Sequence, residues 1–284
     1  MVLVAGYAQT PFNRRKDGSG FRDWVRDAFE PALAMAEIDR TDLDALVLSS
    51  ESDFYSLQLN PASVIADDLG LTGAACQRVE GGGASGQLAV HAGVASIRAG
   101  QAKRVAVVGF EASASYLNAP SMIELLGYSF DAWTEGMTGV TSTAIYALSA
   151  KLFMARTGAT VEDFAQISVT NHGNALKNPD AHLPMELTVE GVRASPVIAE
   201  PYCRLDCSPL SDGAAVLILA AEDAVPASRK SASRIAGIGA ASDRVRLGDR
   251  DDPSFFGAKR VAAERAYDQA GIVAPERDVG LAEL

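Results

Sequence analysis

The chain has 284 residues, 48% hydrophobic and 21% charged, the balance of a folded globular protein and not of a disordered, collagen-like or mucin-like one. Lys plus Arg number 25 and Asp plus Glu 36, a net charge of −11, which speaks against nucleic acid or an anionic membrane surface as partner, since both select basic faces. The three cysteines, Cys76, Cys203 and Cys207, are too few for a disulfide framework. The opening residues lack the basic start and long apolar run of a signal peptide, and no window has the apolar length of a membrane span, so a reduced, cytoplasmic protein is expected.

In chain order, residues 2–5 read as a strand and 21–38 as a helix with Phe21, Trp24, Val25, Ala28, Phe29 and Leu33 on one face. Pro31 inside that helix predicts a kink. Residues 43–48 read as a strand, 87–97 as a helix rich in Ala, Val and Leu and therefore buried, and 104–109 as a strand. A helix follows over 141–157, then a helix-to-strand passage over 161–169 and a buried strand over 214–219. Strands alternating with helices argue an α/β fold.

A βα unit recurs. Val4-Ala5-Gly6-Tyr7 leads through a helix to Ala36-Glu37-Ile38 and a strand after Asp42; Ile235-Ala236-Gly237-Ile238 leads through a helix to Ala270-Gly271-Ile272 and a strand from Asp278. The second copy stops in its second strand, at Leu284, so either the likeness is chance or most of a second unit is missing. Residues 112–209 fit neither copy and read as an excursion that covers a binding site. The charge-rich stretch 241–256 reads as a solvated loop.

Gly81-Gly82-Gly83-Ala84-Ser85-Gly86 opens the 87–97 helix. As G-x-G-x-x-G, followed by a strand that ends at Glu111, it has the form of a dinucleotide site whose amides face a pyrophosphate. The run before it, 77–80, is short and polar, against a buried parallel strand. A structural glycine turn with no ligand is the plainer alternative. His91 reads as a core residue and His182 as solvent-facing, and Cys203 with Cys207 lack the companions of a zinc site.

Several motifs together carry a resemblance: Gly6-Tyr7-Ala8-Gln9-Thr10-Pro11-Phe12; Gly83-Ala84-Ser85-Gly86 with its Ala-rich helix, 105–111 and Ala112-Ser113; Asn171-His172-Gly173-Asn174-Ala175 with Asn178-Pro179; and Asp206-Cys207-Ser208-Pro209-Leu210-Ser211-Asp212-Gly213-Ala214-Ala215. In that order they resemble the thiolase superfamily, nearest to the sterol-carrier-protein thiolases and to relatives that lost the nucleophile, the steroid side-chain aldolases. The resemblance implies a layered α-β-α-β-α fold with an incomplete second repeat: 1–111 and 210–232 as the N-terminal half, 112–209 as a loop region over the coenzyme A site, and 233–284 as the start of a truncated C-terminal half.

The resemblance also implies chemistry at a C–C bond beside an acyl-CoA thioester, with coenzyme A as part of the substrate, no tightly bound cofactor and no metal. Thiolases place a Cys at the start of the buried helix, where the helix dipole favours its thiolate. Gly83 stands at that position. Its N–H remains as an oxyanion donor, with His172 as a further catalytic candidate and Ser208, Met137, Thr138 and Gly139 lining the pantetheine tunnel. The family's Asn- or His-containing turn, Gly-His-Pro motif and second Cys would lie beyond Leu284, and the general base has no assigned residue. Three readings follow: non-covalent retro-aldol cleavage; a conventional acyltransferase in an incomplete or degenerate copy; or a non-catalytic subunit that binds CoA or stabilises a larger complex. A homodimer is expected, with an OB-fold protein or a second chain as possible partner, and 1–284 alone is expected to be poorly soluble.

Overall fold

The computed structural model describes residues 1–14, 17–116 and 118–283. In chain order the strands are β1 Val2–Gln9, β2 Ala45–Ser49, β3 Ala75–Val79, β4 Arg104–Ala112, β5 Val197–Ala199, β6 Tyr202–Cys203 and β7 Asp212–Ala221. The helices are α1 Phe21–Ala36, α2 Pro61–Asp68, α3 Ser85–Arg98, α4 Ala119–Gly127, α5 Ser142–Thr157, α6 Val161–Ala175, α7 Val189–Ala194, α8 Gly257–Ala270 and α9 Pro275–Asp278. The main sheet has the order β1-β7-β4-β2-β3; β7 is antiparallel to both β1 and β4, and β4, β2 and β3 are parallel. β5 and β6 form a small separate pair. The expected α/β class is the observed one.

The two faces of the sheet bury different helices. On one face α1 inserts Trp24, Val25, Ala28, Phe29, Ala32 and Leu33, all buried, against alternate residues of the sheet such as Leu46, Leu48, Val108 and Ile218. α1 continues unbroken through Pro31, which is exposed. On the other face α3 contributes Ala89, Val94 and Ile97 against Val47, Val105 and Leu219. With Ser85 and Gly93 these make the buried stripe of α3; Gln87 is exposed and His91 partly exposed, so the helix expected to be buried is buried on one face and His91 is not a core residue.

Glycine permits the closest helix–strand approach. A Cβ on Gly6 of β1 would overlap the Ala32 carbonyl and come to 2.8 Å from the Ala36 nitrogen of α1. The second βα unit repeats the device: a Cβ on Gly237 would overlap the Ala266 carbonyl and reach the Ala270 nitrogen of α8 at 3.1 Å. Both helices end on a left-handed residue, Glu37 at φ 56° and Gly271 at φ 71°. The two units thus share a glycine contact and a helix end in three dimensions. The strands of the second unit differ from expectation. Residues 235–238 form no strand; Ser233 and Ile235 only bond the edge of β1, through Val4 N to Ser233 O at 2.8 Å and Ile235 N to Val2 O at 3.1 Å. Residues 279–283 form no strand, and Leu284 lies outside the described residues.

Residues 113–211 leave the sheet from β4 and return as its antiparallel neighbour β7, with Ala112 opposite Asp212. Asp212 is fully buried; its Oδ1 accepts the Ala114 N–H at 2.7 Å and its Oδ2 accepts from the Ser115 hydroxyl. Within the excursion, 161–169 does not pass into a strand. It lies inside α6, which is started by a reciprocal cap in which Thr160 Oγ1 accepts the Asp163 N–H and Asp163 Oδ2 accepts the Thr160 N–H. The 241–256 stretch is not merely solvated. Leu247 is buried, its N–H bonds Glu135 Oε1 at 2.8 Å, and Asp252 pairs with Arg156 of α5.

Replacing Gly6 by Ala should lower stability by about 3 kcal/mol, because the methyl meets backbone that cannot rotate away. Gly173→Ala in α6, with open space around its Cβ, should instead raise it by roughly 0.5–1 kcal/mol. Chemical denaturation of the two variants checks both, and equal losses would contradict the close-approach account.

Candidate active site

β2, β3 and β4 run parallel and present their carboxyl ends on one edge, the edge at which open α/β sheets take ligands. A glutamate stands at the end of each strand: Glu51 after β2, Glu80 after β3, and Glu111 as the penultimate residue of β4. The register that sets Ser49 opposite Gly109 brings Glu51 level with Glu111. A cavity of about 710 Å³ opens here, lined by Glu51, Tyr55, Glu80, Gly83, Leu126 and Tyr146 among others.

The electrostatics follow from burial. Glu111 Oε2 accepts the Glu51 N–H at 2.8 Å, while Oε1 is sealed from solvent with no hydrogen-bond partner. Burial pushes the Glu111 carboxyl up to about 7; the bond from the Glu51 N–H opposes this and the Glu51 charge adds to it. Burial also raises the Glu51 carboxyl, against a bond from Ser129 Oγ at 3.4 Å and with repulsion from Glu80. The Tyr55 phenol is raised by burial and by both carboxylates. The nearby cation is Arg78, which pairs with Asp53 at 3.0 Å and bonds the Ser50 carbonyl at 3.2 Å.

The glycine turn spends most of its amides on itself. Gly81 N bonds Ser85 Oγ at 3.0 Å, Gly82 N bonds Glu80 Oε1 at 2.6 Å and Ala84 N bonds Gly81 O at 3.2 Å. Gly83 N–H has no acceptor among the described residues. A pyrophosphate cradle needs several free amides, so the dinucleotide reading finds no support in this turn; the strand before it, β3, is parallel but largely exposed, not the buried parallel strand of a dinucleotide fold. Gly82, at φ +58°, needs glycine for its backbone, whereas Gly83 has ordinary φ and nothing within 4 Å of where a Cβ would stand. Neither conformation nor packing explains glycine at position 83.

Ser208 lines a second cavity of about 610 Å³, with Cys207, Phe164 and Tyr202, and this cavity shares Leu126, Ser142 and Tyr146 with the first. Ser208 and Cys207 also border a third, about 340 Å³, which includes His172 and His182. The shared lining residues place the three cavities side by side as a groove from His172 past Ser208 and Tyr146 to Gly83. His172 Nδ1 bonds the Leu183 carbonyl at 2.8 Å, which places its proton on Nδ1 and ties α6 to the following loop. His182 is not solvent-facing; it is partly buried and its Nδ1 meets Ser211 Oγ at 2.6 Å. Met137, Thr138 and Gly139 line none of these cavities. They form a tight turn in which Thr138 Oγ1 bonds the Glu135 carbonyl at 2.7 Å, and Met137 is exposed. The sequence reading missed Glu51, Tyr55 and Tyr146. The available signal was a glutamate just past an apolar parallel strand.

Against known proteins, the profile described as "Thiolase, N-terminal domain" matches residues 2–223. The chain belongs to the thiolase family. It is 35% identical over 279 residues to the "Acetyl-CoA acetyltransferase" of Methanothermobacter thermautotrophicus, spanning 98% of this chain and 72% of that protein. Its fold is similar to the "Ltp2-ChsH2(DUF35) aldolase", with TM-score 0.77 and 22% identity over 95% of this chain and 69% of that one. It is similar also to the monomeric SCP2-thiolase like protein type 1 from Mycobacterium smegmatis, with TM-score 0.72 and 20% identity over 95% of this chain and 57% of that one. The thiolase fold and an acyl-CoA acyltransferase-like ancestry are therefore secure. Among the described residues no group of His, Cys, Asp and Glu is placed to hold a metal, and no helix is long and apolar enough to cross a membrane.

The raised carboxyl of Glu111 makes this thiolase-fold chain pH-sensitive. The folded state holds that proton more tightly than the unfolded one, so the contribution is complete below the ordinary value of 4.5 and is lost as pH rises through about 7. Glu111→Gln should remove this loss, at most ~3 kcal/mol, and flatten stability between acid and neutral pH. Denaturation midpoints of the two proteins across that window check it; parallel pH profiles would contradict it.

Proposed function

We propose that this chain acts on acyl-CoA thioesters by non-covalent retro-aldol cleavage of the C–C bond beside the thioester. The observation that carries the reading is Gly83: its glycine has no structural cause, its Cβ position is open, and its N–H is free at the start of α3. An N–H there suits the oxygen of a thioester enolate, with the helix end adding to it. The missing side chain leaves room for a bulky β-carbon. No cysteine lines the cavity at Gly83. Cys76 is exposed on β3 and Cys203 is buried. Cys207 borders the second cavity, but burial and Asp206 raise its thiol and disfavour a thiolate nucleophile.

In this reading the acyl-pantetheine arm follows the groove past Ser208 and Tyr146. Residues 1–111 and 210–232 form the catalytic half, 112–209 the cover and 233–284 the start of a second half. β3, with Ala75, Cys76 and Gln77 exposed at the sheet edge, offers main-chain groups for a homodimer, and the relative that is an Ltp2–ChsH2 assembly supports a further partner chain. The conventional acyltransferase is a second reading, favoured by the 35% identity to an acetyl-CoA acetyltransferase.

Cleavage of a β-hydroxyacyl-CoA should survive complete thiol alkylation. Gly83→Ala should leave stability within about 1 kcal/mol yet lower the cleavage rate at least tenfold, because its methyl enters the space in front of the N–H. Loss of turnover on alkylation, or an unimpaired Gly83→Ala variant, would favour the acyltransferase.

A further inference from the structure

From the three strand-end glutamates we infer that Glu51 is the general base of the C–C cleavage, with Glu111 as the residue that positions it; this rests on the retro-aldol reading above. The geometry has four parts. Glu51 lines the same cavity as Gly83, so a thioester with its oxygen at the Gly83 N–H lies within the space that Glu51 borders. Its main chain is fixed from behind by Glu111 Oε2, and its Oε1 is held from the excursion by Ser129 Oγ at 3.4 Å. It stands two residues past β2, where the parallel β2–β4 register ending at Ser49 and Gly109 and the bond to Glu111 set it beside Glu111. No histidine borders this cavity: His172 and His182 lie at the far end of the groove and His91 is on α3.

The groups that face Glu51 are Glu111 from β4, Glu80 from the end of β3, Tyr55 from the segment after β2 and Ser129 from the segment after α4, with Arg78 of β3 as the neighbouring cation. Burial and their mutual repulsion make Glu51 and Glu111 resist joint ionisation, which keeps a proton available at the cavity floor. Burial raises Glu51 itself, which strengthens it as a base near neutral pH.

The step balances without a cofactor. The Glu51 carboxylate takes the proton of the substrate β-hydroxyl. The O–H electron pair becomes the C=O bond of the departing aldehyde or ketone, the Cα–Cβ bond breaks, and its electrons enter the thioester enolate held at Gly83. The Glu51 carboxylic acid then returns its proton to Cα, which releases the shortened acyl-CoA and regenerates the carboxylate.

Two assays on the full chain, with whatever partner co-purifies, test this. The first follows cleavage of a β-hydroxyacyl-CoA; the second follows solvent deuterium entering Cα of acetyl-CoA, the enolisation half of the reaction alone. Glu51→Gln should lower both at least a hundredfold while acetyl-CoA binding and thermal midpoint are kept, and Glu51→Asp should recover part of the rate. Glu111→Gln should lower kcat of cleavage severalfold with KM for the acyl-CoA unchanged, the split expected of a residue that positions Glu51 through its N–H. Cleavage by the wild type that persists in Glu51→Gln would overturn the assignment and leave the retro-aldol reading standing. A wild type that neither cleaves nor exchanges would overturn that reading, and the assignment with it.

Discussion

Both ends of the excursion that walls the site are tied to one side chain. Asp212 begins β7 with its carboxylate fully buried, and it takes up the Ala114 N–H and the Ser115 hydroxyl from the strand that left the sheet at Ala112. A buried carboxylate is costly unless its oxygens are satisfied, so the chain has one low-energy way to close the loop. That closure also inserts β7 between β1 and β4, and the neighbouring Gly213 lets the Phe12 ring pack at 2.9 Å from where a Cβ would stand. From this anchor the excursion reaches back over the carboxyl ends of β2, β3 and β4. Leu126, Ser142 and Tyr146 thereby come to share walls with the glycine turn.

The site is then a meeting of two electrostatic tendencies. The start of α3 and the free Gly83 N–H favour developing negative charge on a substrate oxygen. The strand ends on the other side hold Glu51 and Glu111, whose burial favours taking up and keeping protons. An enolate-forming reaction needs both at once, donors at the oxygen and a base at the hydrogen. A thiolate nucleophile needs neither the open Gly83 position nor the acidic floor.

Parts of this were legible in the sequence because they are local. The α1 face of Trp24, Val25, Ala28, Phe29 and Leu33 follows from helical spacing alone, and all five are buried. The opening motif and the Asp206–Ala215 motif read as two separate signatures. In space they are one, since Thr10 N bonds the Ala214 carbonyl at 2.9 Å and the Ala214 N–H returns to Thr10 Oγ1 at 3.0 Å. What was not legible depends on distant partners. Residues 161–169 have the β-branched content of a strand, but the Thr160–Asp163 cap commits them to helix. Ile235 to Ile238 have a strand's composition, yet without further strand partners they only border β1 and the α3 layer. Glu51 lacked any motif; its role emerges only when the parallel register sets it beside Glu111.

In the proposed retro-aldol cleavage, chemistry at Gly83 proceeds without a covalent acyl-enzyme. Rapid quenching during turnover of a β-hydroxyacyl-CoA, followed by the intact mass of the protein, tests it most directly. The account predicts product formation with the protein mass unchanged at every time point. A species heavier by the acyl group, formed and consumed at the turnover rate, would contradict it.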